Sequence, residues 1–163
     1  MNSENLFIEI IQQNEALILK VVSIYCQHRE ERRDLYQEIV MQLWRGFQKF
    51  EGKSKTSTWI YRVALNTAIS GLRKSGRSPE RSDIDLATMD IIEPSGDHLQ
   101  ERISQLYTAI ADLNDLEKAI TLLYLEEKSH TEIAEITGLS LSNVGTRFAR
   151  IKEKLRNKMT QAK

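Results

Sequence analysis

Apolar residues recur at helical spacing through most of the chain. From about Ser57 onward they return every four residues, which predicts a helix with one buried face. The residues of this face are Ile60, Ala64, Ala68 and Leu72. Thr56 or Ser57 can cap the start of this helix. Residues 4–30 are apolar enough for one well-buried helix or for a helix that is broken near Asn14.

A charged segment, Arg29–Arg33, is interpreted as a turn that leads into a helix from Asp34 to Trp44. Apolar residues line one side of this helix at spacings of three and four. The other side mixes acid, amide and one soft apolar side chain, at Asp34, Gln37, Glu38, Met41 and Gln42. Such a face is usually exposed to solvent. An acidic face beside a basic segment also suits a basic protein partner.

The helical period stops between residues 77 and 97, where Pro79, Pro94 and Gly96 lie among acidic residues. This composition predicts an extended linker between two small helical domains, residues 1–76 and 98–163. The fold class is therefore predicted to be all-α. A solvated tether is one interpretation of the linker, and an acidic segment that lies in a basic protein channel is the other.

The second domain begins with helices predicted over residues 99–113 and 115–126, and Tyr124 is placed on the inner side of the latter. Ser129 caps a short helix that Gly138 ends, and Ser140 caps a last helix to about Met159. The buried side of the last helix is predicted to hold Val144, Phe148, Ile151 and Leu155. A short helix, a glycine turn and a longer helix with cations outside predict a helix-turn-helix, although plain structural bundles share this arrangement.

The charges change the picture, because a net charge of zero conceals two basic segments. Residues 45–81 hold nine Lys or Arg against Glu51 and Glu80, and residues 140–159 hold six against Glu153. Each is a candidate phosphate-binding surface. Trp44, Trp59 and other rings lie among the first group, and they serve either as stacking platforms for single-stranded bases or as core residues.

Catalytic chemistry finds no support in the 163 residues. Cys26 is the single cysteine and is expected to be a small buried hydrophobe, and the three histidines lack metal-ligand spacing. No phosphate-binding loop, HExxH motif or nucleophile motif is present. We therefore predict a non-enzyme without cofactor, metal or small-molecule substrate. No apolar run approaches the length needed to span a membrane, and no signal peptide is visible. We therefore predict a cytoplasmic protein without membrane insertion.

Two segments resemble one family. DLYQEIVMQLWRGFQKFEGKSKTSTWIYRVALNTAISGLRK, residues 34–74, is similar to region 2 of bacterial extracytoplasmic-function (ECF) sigma factors of the sigma-70 family. TLLYLEEKSHTEIAEITGLSLSNVGTRFARIKEKL, residues 121–155, is similar to their region 4. The two occur in the family's order, on either side of a linker of ordinary length.

This resemblance implies a protein that binds core RNA polymerase and directs it to promoters. It implies contacts with the β′ coiled coil and the β flap, with promoter DNA, and with an anti-sigma factor. The polymerase-binding residues would be Asp34, Gln37, Glu38 and Met41. The −10 element would be opened and read by Lys53, Ser54, Lys55, Thr56, Ser57, Thr58, Arg62 and Asn66. The −35 element would be read by Ser142, Asn143, Thr146, Arg147 and Arg150.

The chain departs from the family pattern at two positions. Gly145 stands where members usually carry Lys or Arg, and Asn114 stands where they usually carry Pro. The alternative function is a stand-alone helix-turn-helix transcriptional regulator, in which the first domain would sense a signal or dimerise. Such a regulator would bind duplex DNA without polymerase, usually as a dimer on spaced half-sites.

Overall fold

The computed structural model describes residues 2–50, 52, 54–75 and 97–161, and the predicted all-α fold is confirmed. The chain divides into two compact units, the N-terminal unit Met1–Arg77 and the C-terminal unit Ser78–Lys163. Within the described ranges the helices are α1 Ser3–Gln13, α2 Glu15–Tyr25, α3 Arg29–Phe47, α4 Thr56–Ser75, α5 Asp97–Ala111, α6 Asp115–Leu125, α7 His130–Thr137 and α8 Leu141–Gln161. The linker predicted over 77–97 lies outside the described residues, apart from Asp97.

The N-terminal unit begins with two helices that are separated at Asn14. Asn2 caps α1, because its side-chain oxygen accepts the Asn5 N–H at 2.8 Å. At the other end the Asn14 side-chain amide donates to the Ile10 carbonyl at 2.8 Å, and the same carbonyl accepts the Asn14 backbone N–H at 3.2 Å. Of the two alternatives for residues 4–30, the structure has the helix that is broken near Asn14.

Helices α2, α3 and α4 pack together around an aliphatic core. The fully buried residues of this core include Ile18, Val21, Val22, Ile39, Leu43, Ile60, Ala64 and Ala68. The four-residue spacing predicted for α4 is thus confirmed as far as Ala68, and the side chain of Leu72 lies outside the described set. Cys26 is buried at 8% exposure, as expected for a small hydrophobe.

The turn predicted over Arg29–Arg33 is wrong, because α3 already begins at Arg29. Glu30 and Glu31 lie in its first turn, where carboxylates interact favourably with the helix dipole. The Arg32 Nε donates to the Cys26 carbonyl at 2.8 Å and joins the new helix to the end of α2. Charge density alone therefore misplaced the helix start, since this cluster stabilises a first turn.

In the C-terminal unit α8 packs against α5, α6 and α7. Its buried residues Val144, Phe148 and Ile151 follow the predicted spacing, while Leu155 is only partly buried. The inward placement of Tyr124 is wrong, since this residue is 49% exposed. Its ring lies on Phe148 with centroids 4.3 Å apart, so one face of the ring is covered and the rest meets solvent.

The turn between α7 and α8 has the predicted caps. Ser129 and Glu132 form a capping box at the start of α7, and Gly138 ends that helix with a left-handed φ of 80°. The Ser140 hydroxyl accepts the Asn143 N–H at 3.1 Å and caps α8. The helix-turn-helix predicted from the sequence is therefore formed. None of the helices in the described ranges is long and apolar enough to cross a membrane.

Candidate functional site

The outer side of α3 carries the four residues predicted to bind polymerase, which we call the acid–amide line: Asp34, Gln37, Glu38 and Met41. All four are exposed, and Met41 keeps 48% of its surface accessible. Ile39 and Leu43 occupy the opposite side and are fully buried. Glu38 accepts a hydrogen bond from the Gln42 amide at 3.0 Å, which limits the rotamers of this carboxylate. The helix therefore presents a continuous acidic and amide surface.

The residues predicted to contact −10 DNA do not form one exposed set. Asn66 is exposed and Arg62 is partly buried one turn before it, on the side of α4 away from the core. Lys55 is exposed, and Ser54, Thr56 and Ser57 are partly accessible at the start of the helix. Thr58 is buried at 5% exposure, so little of it is accessible to DNA. Lys53 lies outside the described residues.

The aromatic residues around this segment pack mainly with one another. Trp59 is only 8% exposed, and its ring is stacked on Phe50 with centroids 4.6 Å apart and planes at 17°. Trp44 keeps 39% of its surface accessible, and its ring packs in an edge-on arrangement with that of Phe7, with centroids 5.0 Å apart. Trp59 is thus a core residue that fixes the start of α4, whereas Trp44 retains an accessible face.

On α8 the predicted −35 residues fall on adjoining sides of one helix. Ser142, Thr146 and Arg150 are exposed and recur every four residues, a set that we call the reading line. Asn143 and Arg147 are partly buried, and the Arg147 Nε donates to the Asn143 Oδ1 at 3.0 Å. The start of α8 therefore presents hydroxyls, an amide and two guanidinium groups.

Gly145 lies among these residues. A Cβ placed on it would meet no atom within 4 Å beyond its own helical turn and its chain neighbours. Its φ is not positive. Neither packing nor backbone conformation therefore requires glycine at this position.

Sequence reasoning missed a polar network that attaches α8 to the start of α6. Asn114 caps α6 in a capping box with Glu117, and Lys154 of α8 donates to the same Glu117 carboxylate at 2.6 Å. Burial by itself would raise the pKa of Glu117, but the hydrogen bonds from Lys154 and Asn114 and the charges of Lys154 and Arg147 together hold it below its ordinary value. The pattern Asn-x-x-Glu at 114–117 was the available signal for the cap.

Some of the cations counted in the last helix already have partners inside the protein. Lys154 is paired with Glu117, and Lys158 lies 3.1 Å from the carboxylate of Asp112. Lys152 is placed over the ring of Phe148, with its Nζ 4.9 Å from the centroid. The count of six basic residues therefore overstates the positive surface that remains for DNA. Arg147 and Arg150 are the two of these six that were predicted to contact the −35 element.

Comparison with known proteins agrees with this two-part architecture. The family model for Sigma-70 region 2 matches residues 10–78, and the model for Sigma-70 region 4 matches residues 103–155. The ECF RNA polymerase sigma-E factor of Haemophilus influenzae is 33% identical over 95% of this chain and 86% of its own length. The sigma-E factor of Escherichia coli K12 is 29% identical over 96% of this chain and 94% of its own.

A solved structure has the same fold. The sigma factor RpoE of Bartonella quintana, crystallised with the anti-sigma factor NepR, superposes with a TM-score of 0.65 at 21% identity. The match covers 92% of this chain and 96% of that one. The two region models, the relatives and this shared fold lead to one assignment: the chain belongs to the ECF group of the sigma-70 family of RNA polymerase sigma factors.

Proposed function

We propose that this protein binds core RNA polymerase and directs transcription initiation at specific promoters. The observation that carries the proposal is the pairing of two surfaces in the N-terminal unit. All four residues of the acid–amide line on α3 are exposed, and the next helix exposes Asn66 and partly exposes Arg62. A domain that served only as a sensor or dimerisation module would not need both surfaces.

The acid–amide line is the proposed polymerase contact. Its carboxylates suit a basic partner, and Met41 adds an adaptable apolar contact at 48% exposure. Following the family, the partner is the β′ coiled coil of polymerase, while the C-terminal unit approaches the β flap. The proposed domains are residues 1–76 and 98–163, with the linker 77–97 between them.

The start of α4 is the proposed −10 contact. Lys55, Thr56, Ser57, Arg62 and Asn66 supply cationic, hydroxyl and amide groups, which suit an unstacked base and its backbone. Ser54 and Lys53, which precede α4 in the sequence, complete the proposed set. Thr58, which was predicted to contact DNA, is proposed instead to support the helix start from inside, because it is buried.

The reading line on α8, with Asn143 and Arg147 beside it, is the proposed −35 contact. In helix-turn-helix proteins the N-terminal residues of the second helix meet base edges in the major groove. Ser142, Thr146 and Arg150 are exposed in that part of α8. We further propose that the protein is not an enzyme, acts in the cytoplasm where core polymerase works, and is controlled by an anti-sigma factor.

Run-off transcription with purified core polymerase on a genomic library tests this function. We expect discrete transcripts that require the protein, from promoters that share −10 and −35 elements. Fluorescence anisotropy at matched salt should show weak binding of the protein alone to such a promoter and tight binding with polymerase. Tight, sequence-specific binding by the isolated protein to a palindrome as a dimer would instead establish the stand-alone regulator.

A charge reversal tests the polymerase surface. Glu38→Lys should weaken binding to core polymerase about 10-fold or more, since like charges across an interface cost several kcal/mol. Its melting temperature should stay nearly unchanged because Glu38 is exposed. Glu9→Lys makes the same change on exposed α1 and serves as the control. Equal polymerase pull-down by the Glu38→Lys variant and the wild type would show that the assigned surface is wrong.

A further inference from the structure

The hydrogen bond between Asn143 and Arg147 gives these two residues different tasks. Arg147 Nε donates to Asn143 Oδ1 at 3.0 Å, one turn apart on α8. The bond occupies one of the two lone pairs of the oxygen with which an asparagine accepts a hydrogen bond from a base edge, and it restricts an arginine side chain that otherwise has many rotamers. The remaining N–H groups of the guanidinium, on its two terminal nitrogens, form a fork that suits paired oxygen acceptors.

The position of Arg147 around α8 indicates which acceptors these are. Arg147 and Lys154 are seven residues apart, which places them on the same side of the helix. Lys154 contacts Glu117 of α6, and the charge of Arg147 also lowers the pKa of Glu117. Arg147 therefore lies on the flank beside α6, about 60° from the reading line at Arg150. When the outer line of a helix enters a groove, its flanks face the phosphate walls.

We propose that Asn143 is a positioning residue that holds Arg147 as a preorganised phosphate clamp at the −35 element, and that Asn143 itself does not read a base. This inference rests on the proposed −35 function of α8. Sequence discrimination is then left to the reading line, and the Asn143–Arg147 pair sets the depth and register of α8 on the duplex.

A double-mutant cycle on the polymerase holoenzyme tests the proposal. Affinity for promoter fragments is measured by anisotropy, across single-base changes in the −35 element and across a salt series. Arg147→Ala should weaken all sequences alike and reduce the slope of log affinity against log salt by about one. Asn143→Ala should weaken all sequences about 2- to 10-fold, the loss expected when one side chain must be ordered on binding.

The cycle separates the possible outcomes. In the Arg147→Ala background, Asn143→Ala should have no further effect, because it acts through the lost guanidinium. Asn157→Ala, an exposed asparagine later in α8, is the matched control and should bind as the wild type does. Additive losses, or a changed base preference with Asn143→Ala, would make Asn143 a direct reader and overturn the proposal. If Arg147→Ala and Arg150→Ala both leave −35 binding intact, the proposed function of α8 fails as well. Circular dichroism checks that each variant is folded.

Discussion

In the N-terminal unit, some of the residues that the sequence predicted to contact DNA are buried in the core. In the C-terminal unit, the residues predicted to contact DNA are exposed or partly exposed on one helix. Thr58 is 5% exposed and Trp59 is 8% exposed at the start of α4. Ser142, Thr146 and Arg150 all remain exposed on α8. The comparison shows that tertiary packing with aromatic rings determines which residues are buried at the start of α4. A capped helix at the edge of a turn is determined by local sequence.

The strongest test of this comparison is to remove the buried ring of Trp59. Trp59→Ala should destabilise the N-terminal unit by about 3–5 kcal/mol, because a buried indole leaves a cavity against Phe47 and Phe50. Trp44→Ala, from a residue 39% exposed, is the matched control and should cost less. Both tryptophans lie in this unit, so the fluorescence of the remaining one follows its thermal unfolding. Equal losses in the two variants would contradict the core role of Trp59.

A smaller loss of stability is expected when the ion pair between α6 and α8 is removed. Glu117→Gln should destabilise the C-terminal unit by about 1 kcal/mol near neutral pH, since the partner Lys154 is half exposed and solvent screens the pair. Urea unfolding of the variant and the wild type measures this loss. Glu153→Gln removes an exposed charge from the same helix and should change little.

The same carboxylate predicts a pH dependence. The pKa of Glu117 is lowered in the folded protein. Its contribution is therefore fully present above the ordinary glutamate value and is lost as the pH falls through the folded value. The difference in unfolding free energy between wild type and Glu117→Gln should shrink on acidification. A difference that stays constant down to acid pH would show that the charge of Glu117 does not stabilise the fold.

The smallest effect is expected at the two glycines of the helix-turn-helix, and it has opposite signs. Gly145→Ala should stabilise the C-terminal unit by about 0.5–1 kcal/mol, because a Cβ there meets nothing within 4 Å. Gly138→Ala should destabilise it, since φ is 80° at that position and alanine disfavours this conformation. Thermal unfolding of the two variants compares them directly. A loss of stability in Gly145→Ala would contradict the conclusion that neither packing nor backbone conformation requires glycine there.

Local signals predicted much of the C-terminal unit. Ser129, Gly138 and Ser140 marked the ends of α7 and α8, because caps depend on residues three or four positions apart. The link from Glu117 to Lys154 spans 37 residues and has no local signature. It depends on how α6 and α8 pack, which periodicity alone does not determine.

In the N-terminal unit the sequence predicted the elements better than the site. The buried line of α4 was predicted correctly because apolar spacing reports a buried face, whereas one continuous helix and a helix broken near Asn14 both remained possible before the structure. The same spacing could not tell that Thr58 turns inward or that Trp59 stacks on Phe50. Arg29–Arg33 was mistaken for a turn because its charges also suit the first turn of a helix.

The open space beside Gly145 has a consequence for how such regulators diverge. Adding a Cβ there requires no compensating change elsewhere in the C-terminal unit, since it meets nothing within 4 Å. Stability and function often trade off against each other when a site is changed. At Gly145 the two properties are separable. Under the proposed −35 function of α8, a duplicated copy of this gene that acquires an arginine here gains a cation on the same helix, while the parent copy keeps its own promoters.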